Sequence, residues 1–218
     1  EEGGDLDRLR RHVNVSDELW PVLVGWLVAA LIPGIPHPIL ALLGEQGTAK
    51  TSSATRVGGL IDASPAPVRT APRDAESWVL TAAGSWVVAL DNISSVHPWM
   101  SDALCRAVTG DGLVRRTLYS DGDLSVTSLR RCIILTAIDA GALRGDLAER
   151  LVPIELDRIP AGRRQLDAAL ADRWADDHPY ILGGLLDLVA KVLAVLPTVQ
   201  VDDLPRMADY AQVLAALD

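Results

Sequence analysis

The sequence predicts a three-layer α/β protein with a central parallel sheet, a β-hairpin insertion and a C-terminal helical lid. Short apolar runs of strand length alternate with helix-length segments over residues 37–160, as in a parallel sheet covered by helices. An Asp-Gly pair separates two strand-like runs at 113–120 and 124–131, which indicates a hairpin. From residue 163 onward apolar residues recur every three or four positions, which indicates helices alone.

The elements are predicted in order from apolar runs and their turn residues. A capped helix follows Ser16 and ends at Pro33-Gly34, and Pro197 ends a helix of the C-terminal region. We therefore divide the chain into an N-terminal helical segment or linker (1–36), an α/β core (37–160) and a C-terminal helical subdomain (161–218). The other predicted elements are strands at 39–43, 68–70, 86–90, 132–138 and 151–156 and helices at 49–61, 74–83, 99–108 and 203–217.

Composition limits the classes of function. Apolar residues make up 49% of the 218 residues and charged residues 22%, which is typical of a folded domain. The formal net charge of -9 argues against a protein that coats nucleic acid or an anionic membrane. Two cysteines without metal-ligand spacing favour a cytoplasmic protein without disulfides or zinc. The apolar run 19–32 is too short to cross a bilayer, so no membrane association is expected.

Residues 44–51, GEQGTAKT, are close to the phosphate-loop pattern G-x-x-x-x-G-K-[ST]. In such a loop, backbone N–H groups surround phosphates, a lysine reaches the terminal phosphates and a hydroxyl holds Mg²⁺. The alternative is a glycine-containing turn with a solvated lysine, but a strand before the motif and a helix after it favour a nucleotide site. The predicted ATP-binding residues are Gly44, Glu45, Gln46, Gly47, Thr48, Ala49, Lys50 and Thr51.

Ala49 stands where the pattern has its second glycine. Alanine is acceptable there if the residue belongs to the first turn of the following helix, because φ is then negative. We therefore expect the methyl group to leave the loop competent.

Asp91 ends the apolar run Val87–Leu90 and is predicted to hold Mg²⁺ together with Thr51. Asn92 occupies the position at which glutamate commonly orients the attacking water. An amide can hydrogen-bond water but cannot accept its proton, so hydrolysis is either slow or depends on another base. The alternatives are a strand-end turn residue for Asp91 and a cap for Asn92.

The order of motifs resembles the AAA+ P-loop helicases of superfamily 3, found in primase-helicases of phages and plasmids. The resemblance covers about residues 38–158 and includes Leu104–Asp111, in which one glycine of T-G-G-D is missing, and Arg115-Arg116 on the hairpin. It implies a ring of subunits, with a hexamer favoured, that acts on single-stranded or forked DNA. It also implies a primase or other domain upstream.

The resemblance further implies roles for five polar residues. Thr136 lies where the family has a polar sensor, usually Asn, and it is alternatively an ordinary strand residue. Arg150, with Arg144 as second candidate, lies where the family has the arginine finger, and both are alternatively surface ion-pair partners. Arg115 and Arg116 would contact DNA in the ring pore, or would be a solvated strand edge.

Three functions follow from these observations. The first is a DNA helicase or translocase that hydrolyses ATP in replication of a phage, prophage or plasmid element. The second is a nucleotide-gated binding or assembly module, in which Asn92 makes hydrolysis negligible and Asn92→Glu would greatly raise turnover. A metabolic kinase ranks last, because no acceptor-binding carboxylates are identified.

Overall fold

A five-stranded parallel sheet lies at the centre of the protein. The structure is a computed structural model that describes residues 3–110, 112–116, 124–139, 141, 143 and 145–218. The strands are β1 (Ile39–Leu43), β2 (Val68–Arg69), β3 (Val87–Leu90), β4 (Gly112–Arg116), β5 (Leu124–Ser128), β6 (Cys132–Ala137) and β7 (Leu151–Glu155). The sheet has the order β2-β3-β6-β1-β7, with every neighbouring pair parallel.

Helices cover both faces of this sheet. They are α1 (Trp20–Ala30), α2 (Lys50–Ile61), α3 (Ala75–Ala83), α4 (Pro98–Thr109), α5 (Asp167–Val195) and α6 (Ala208–Ala215). Alternate residues of each central strand face opposite layers: Leu40 and Leu42 pack with α1, α2, α5 and α6, whereas Ile39 and Ala41 pack with α3 and α4. The predicted three-layer α/β fold is thereby confirmed.

The hairpin is a separate two-stranded ribbon. β4 and β5 pair antiparallel, with Val114 opposite Val126, as the Asp-Gly signal predicts. The predicted turn at 121–123 lies outside the described residues.

The N-terminal segment is attached to both the sheet and α5. Residues Leu6–Arg11 form a 3-10 helix that the sequence analysis did not predict. Val15 makes an antiparallel bridge to Leu156, just after β7, and the Asp5 N–H donates to the Tyr180 carbonyl at 2.8 Å. Gly184 allows this approach, because a Cβ there would lie 2.5 Å from the Leu6 nitrogen.

One apolar cluster contains buried residues from all three predicted segments, including Trp26, Leu42 and Leu185. The N-terminal and C-terminal helices therefore pack on the same face of the sheet as α2. The division at residues 36 and 160 stays a prediction.

Helix α5 is unusually long and apolar. By length and composition alone, it is the one helix in the described part of the chain that could cross a membrane. One of its faces is buried on the rest of the protein through Ile181, Leu185 and Val192. Leu186 and Leu193 on the outer face are exposed.

Candidate functional site

The predicted loop, Asp91 and Thr136 lie at the carboxyl edge of the sheet. The segment 44–51 follows β1, Asp91 follows β3, and Thr136 is the penultimate residue of β6. In the sheet, β6 lies between β1 and β3. Since β6 pairs with both strands, Thr136 is placed between the loop and Asp91.

The loop contains three left-handed residues. Gly44 has φ 146° and Gly47 has φ 86°, conformations that glycine adopts without steric cost. Ala49 has φ 62° and ψ 33° and stands just before α2. The expectation of a negative φ for Ala49 is therefore wrong: the residue precedes the first helical turn, and its methyl group costs roughly 1–2 kcal/mol of backbone strain. The loop keeps a glycine-like shape without the glycine.

Lys50 begins α2 and folds back over the loop. Its ammonium donates to the carbonyl oxygens of Gly44 at 2.5 Å and Glu45 at 2.8 Å. Thr48 is buried and its hydroxyl donates to the same Glu45 carbonyl at 3.0 Å, whereas Glu45 and Gln46 are exposed. The ammonium is thus held inside the turn, at the place where a bound phosphate would compete for it.

Thr51, Asp91 and Thr136 form one hydrogen-bonded set. The Thr51 hydroxyl donates to both carboxylate oxygens of Asp91, at 3.1 and 3.0 Å, and the buried Thr136 hydroxyl donates to the same carboxylate. Hydroxyl and carboxylate oxygens are ligands that Mg²⁺ prefers, so the two residues predicted to hold the ion fit it in kind and lie in contact. Thr136 contacts the carboxylate directly.

Asn92 has a left-handed backbone, with φ 55°. Its N–H donates to the Thr136 hydroxyl at 2.9 Å, and its side chain is exposed. Asn and Asp tolerate positive φ better than longer side chains, so this backbone disfavours glutamate at position 92. The departure from the usual glutamate therefore has a local structural reason.

An arginine-lined cleft of about 740 Å³ opens on one side of the loop. Gly47 and Ala49 of the loop border it. The arginines that line it come from the N-terminal segment, from α2 and from the chain before α5; they are Arg10, Arg11, Arg56, Arg163 and Arg164. The N-terminal segment, for which the sequence predicts only a helix or linker, thus contributes to this site. In the sequence, the adjacent Arg10 and Arg11 indicate a local positive charge, and Leu6 and Leu9, three residues apart, indicate a helical turn.

Asp177 of α5 contacts His12, which lines this cleft. It is buried and accepts from the His12 ring at 3.0 Å and from Arg8 at 3.3 Å. His12 lies edge-on to Trp174, and Arg56 donates to the His12 carbonyl at 2.8 Å. Burial lowers the pKa of His12, although the Asp177 carboxylate acts in the opposite direction. The cleft wall is therefore tied to the C-terminal helices by polar contacts.

Of the predicted arginines, Arg150 has its described ion pair outside this set. Arg150 ends a 3-10 helix, its side chain is 13% exposed, and it pairs with Asp146 at 3.4 Å. Arg206 also pairs with Asp146. Arg144 lies outside the described residues. Arg115 and Arg116 lie on β4, but their side chains are outside the described part, so the DNA-binding and arginine-finger roles stay predictions.

Residues 6–218 match the family described as actinomycete integrative conjugative element replication protein. The chain belongs to this family. No curated protein matches it. Membership identifies a replication protein.

Solved structures share the fold at low identity. Two apo structures of the NrS-1 C-terminal region superpose with TM-scores of 0.55 and 0.54, each at 12% identity over 98% of this chain. The alignments cover 48% and 49% of those chains, so this chain spans about half their length. At this identity the likeness shows a shared fold, and that fold agrees with the one that the sequence resemblance implies. A structure of JCV helicase also matches, with a TM-score of 0.44 and 13% identity over 97% of this chain and 64% of that one.

Proposed function

We propose that this replication protein binds and hydrolyses ATP with Mg²⁺ and uses the energy as a DNA helicase or translocase for an integrative conjugative element. One observation carries the proposal: Lys50, Thr51 and Asp91 meet at the end of a glycine turn on the carboxyl edge of a parallel sheet. Nucleotides bind at this edge in open α/β sheets. The family supplies the replication context.

Each residue of the set has a separate task. The loop amides and Lys50 bind the phosphates, while Thr51 and Asp91 hold Mg²⁺. The ion neutralises charge on the phosphate oxygens when it is bound. Thr136 fixes the Asp91 carboxylate, and its contact with the Asn92 N–H positions that residue at the same edge.

The arginine-lined cleft is our candidate for the part of bound ATP that extends beyond the loop. It borders Gly47 and Ala49, and its volume of about 740 Å³ lies in the usual range for ligand pockets. The five arginines give a local positive field in a chain whose formal net charge is -9. Arg164 lies close to the loop, 3.4 Å from a Cβ placed on Gly47.

The proposal also includes DNA contact and assembly into a ring. The β4–β5 ribbon carries Arg115 and Arg116 and would place them in the pore of a ring, with six copies favoured. Arg150 would act on the ATP of a neighbouring copy, which requires it to leave Asp146. An isolated chain with this acidic balance is expected to bind DNA modestly and in a salt-dependent way.

The decisive test compares Lys50→Ala with the wild type for binding of a fluorescent ATP analogue and for ATPase activity with and without single-stranded DNA. Loss of a charge-assisted contact worth about 1.5–3 kcal/mol predicts roughly 10- to 150-fold weaker binding. Turnover is expected to fall to background.

Lys191→Ala is the matched control, because Lys191 is exposed on α5 and far along the chain from the loop. It removes the same charge and is expected to leave binding unchanged. Equal nucleotide affinity in Lys50→Ala and Lys191→Ala would exclude the proposed site. Urea unfolding of both variants separates lost binding from lost folding.

The nucleotide-gated module is the second candidate, and Asn92 is the observation that favours it. If no other base exists, ATP would act as a ligand that alters conformation or assembly. In that case wild-type protein binds ATP without turnover. Asn92→Asp, which suits the left-handed backbone better than Asn92→Glu, would then raise turnover greatly.

A further inference from the structure

A second cavity borders the candidate site at Asn92. It has a volume of about 630 Å³ and is lined by Asn92, Ser94, Ser101 and Asp139, among others. Asp139 is the one carboxylate among the described residues that line it. Asn92 cannot accept a proton from water, but the cavity that it lines also contains the Asp139 carboxylate, which can.

The backbone places Asp139 beside the phosphate loop. The Gly44 N–H, at the start of the loop, lies 3.3 Å from the Ala137 carbonyl and 3.2 Å from the Ile138 carbonyl. Asp139 is the next residue after this contact. Its Oδ1 accepts from the Gly141 N–H at 2.6 Å, which orients the carboxyl group.

The strand register places Asn92 at the same edge. Leu90 of β3 lies opposite Leu135 of β6, and the Ile93 N–H donates to the Thr136 carbonyl at 2.8 Å. The chain after β3 and the chain after β6 therefore leave the sheet side by side. Asn92 and Asp139 approach the same space from these two segments.

We propose that Asp139 is the general base of the ATPase reaction, with Asn92 as the residue that orients the attacking water. This inference rests on the proposed function. The water oxygen forms a bond to the γ-phosphorus, and one water proton passes to the Asp139 carboxylate. The bond from the γ-phosphorus to the bridging oxygen breaks, and its electron pair stays on ADP. The proton on Asp139 returns to solvent after phosphate leaves.

This division of labour explains why Asn92 is compatible with hydrolysis. An amide at position 92 can donate to and accept from water without taking its proton. The proton acceptor comes instead from the segment that follows β6, the strand next to β3 in the sheet. Asp139 is exposed, so water can reach it, and the side chain can move toward a bound nucleotide.

Asp139→Asn tests the assignment in the full chain. We expect the single-turnover rate of ATP hydrolysis to fall by about 10²- to 10⁴-fold, the usual effect of removing a general base. Binding of the fluorescent ATP analogue is expected to stay within threefold of wild type, because the loop, Lys50 and the Thr51–Asp91 pair are untouched. Asp139→Glu keeps a carboxylate and is expected to recover part of the rate.

Asp102→Asn is the matched control. Asp102 is exposed on α4, next in sequence to Ser101 of the cavity, and the substitution changes the charge by the same amount. It is expected to leave the rate unchanged. The double variant Asn92→Asp with Asp139→Asn moves the carboxylate to the other side of the cavity and is expected to regain activity over Asp139→Asn alone.

Two outcomes overturn the assignment while leaving the nucleotide site intact. One is an Asp139→Asn rate within threefold of wild type. The other is an absence of ATP hydrolysis by the wild type in the presence of DNA, although the wild type binds the ATP analogue and Lys50→Ala abolishes that binding. Failure of the proposed function is distinguishable, because binding would then be absent or indifferent to Lys50→Ala.

Discussion

The two ends of the central sheet differ in how they use polar groups. At the carboxyl end, Asn92 and Thr51 are exposed, and Ala49 and Asn92 hold left-handed backbones. At the amino end, polar groups serve burial: Asp62 accepts from the N–H groups of Trp86 and Val87, and His37 is enclosed beside Trp86.

The difference shows where stability and function are separated in this fold. The amino end joins α1, α2 and the starts of the strands, for example through the Trp86 indole N–H, which donates to the Ala30 carbonyl at 2.9 Å. The carboxyl end keeps groups that are available to a ligand, at a cost in backbone strain. Substitutions at the first end are expected to change folding, and substitutions at the second are expected to change binding and rate.

The largest expected contrast is between Asp62→Ala and Thr51→Val. Asp62 Oδ2 accepts from the N–H groups of Trp86 at 2.6 Å and Val87 at 3.0 Å, so its removal leaves two backbone amides at the start of β3 without their charged acceptor. We expect the free energy of unfolding to fall by roughly 3–5 kcal/mol, measured by urea denaturation. Thr51 is exposed, and Thr51→Val is expected to change the free energy of unfolding by less than about 1 kcal/mol. The same substitution is expected to weaken the Mg²⁺-dependent binding of ATP. Similar losses of stability in the two variants would remove the distinction between the ends.

Much of the fold was predictable because local signals agreed with tertiary packing. The observed bounds agree to within one residue with the predicted ones for β1, α2, β3 and α4. Each of these elements has a clear apolar run and is bounded by glycine, proline or aspartate. Helix α5 begins at Asp167, a bound that the helical periodicity from residue 163 onward did not fix, and it contains Pro179. Such a start depends on packing against the N-terminal segment, which periodicity in one window does not report.

The site was predictable in its residue types and less so in its backbone. Lys50, Thr51 and Asp91 were found from motif and spacing, and the structure brings them together. The left-handed φ of Ala49 was missed, because an alanine carries no sign of positive φ. Asp139, which our proposal adds, belongs to no motif, and its place in the same cavity as Asn92 depends on β6 lying next to β3.

The second contrast concerns the pH dependence of stability, which His37 at the amino end of the sheet is expected to cause. His37 is 1% exposed, and neither ring nitrogen has a hydrogen-bond partner among the described residues. Burial, with a smaller contribution from the Arg130 charge, lowers the pKa of His37 to about 4. The unfolded chain binds a proton near pH 6.5 and the folded chain does not, so stability is lost as pH falls from about 6.5 toward 4. The expected loss is about 3 kcal/mol.

Urea unfolding between pH 4 and 7.5 measures this loss. His37→Gln removes the titrating group and is expected to flatten the dependence in that range, while His97→Gln, at an exposed position before α4, leaves the slope as in wild type. His12, whose pKa burial also lowers, contributes with the same sign and accounts for any slope that remains in His37→Gln. An unchanged slope in His37→Gln would show that the ring is solvated or paired in solution.

The smallest contrast lies within the carboxyl end and tests strain directly. Ala49 has φ 62°, so Ala49→Gly removes the clash of Cβ with the backbone and is expected to stabilise the protein by about 1 kcal/mol, after allowance for the greater freedom of glycine in the unfolded chain. Ala171→Gly, at an exposed position inside α5, is expected to destabilise it by about 0.5–1 kcal/mol. Opposite signs in thermal or urea unfolding would establish that the loop stores strain at Ala49. A loss of stability in both variants would mean that position 49 has helical backbone in solution, and the nucleotide loop would then have a different shape from the one described.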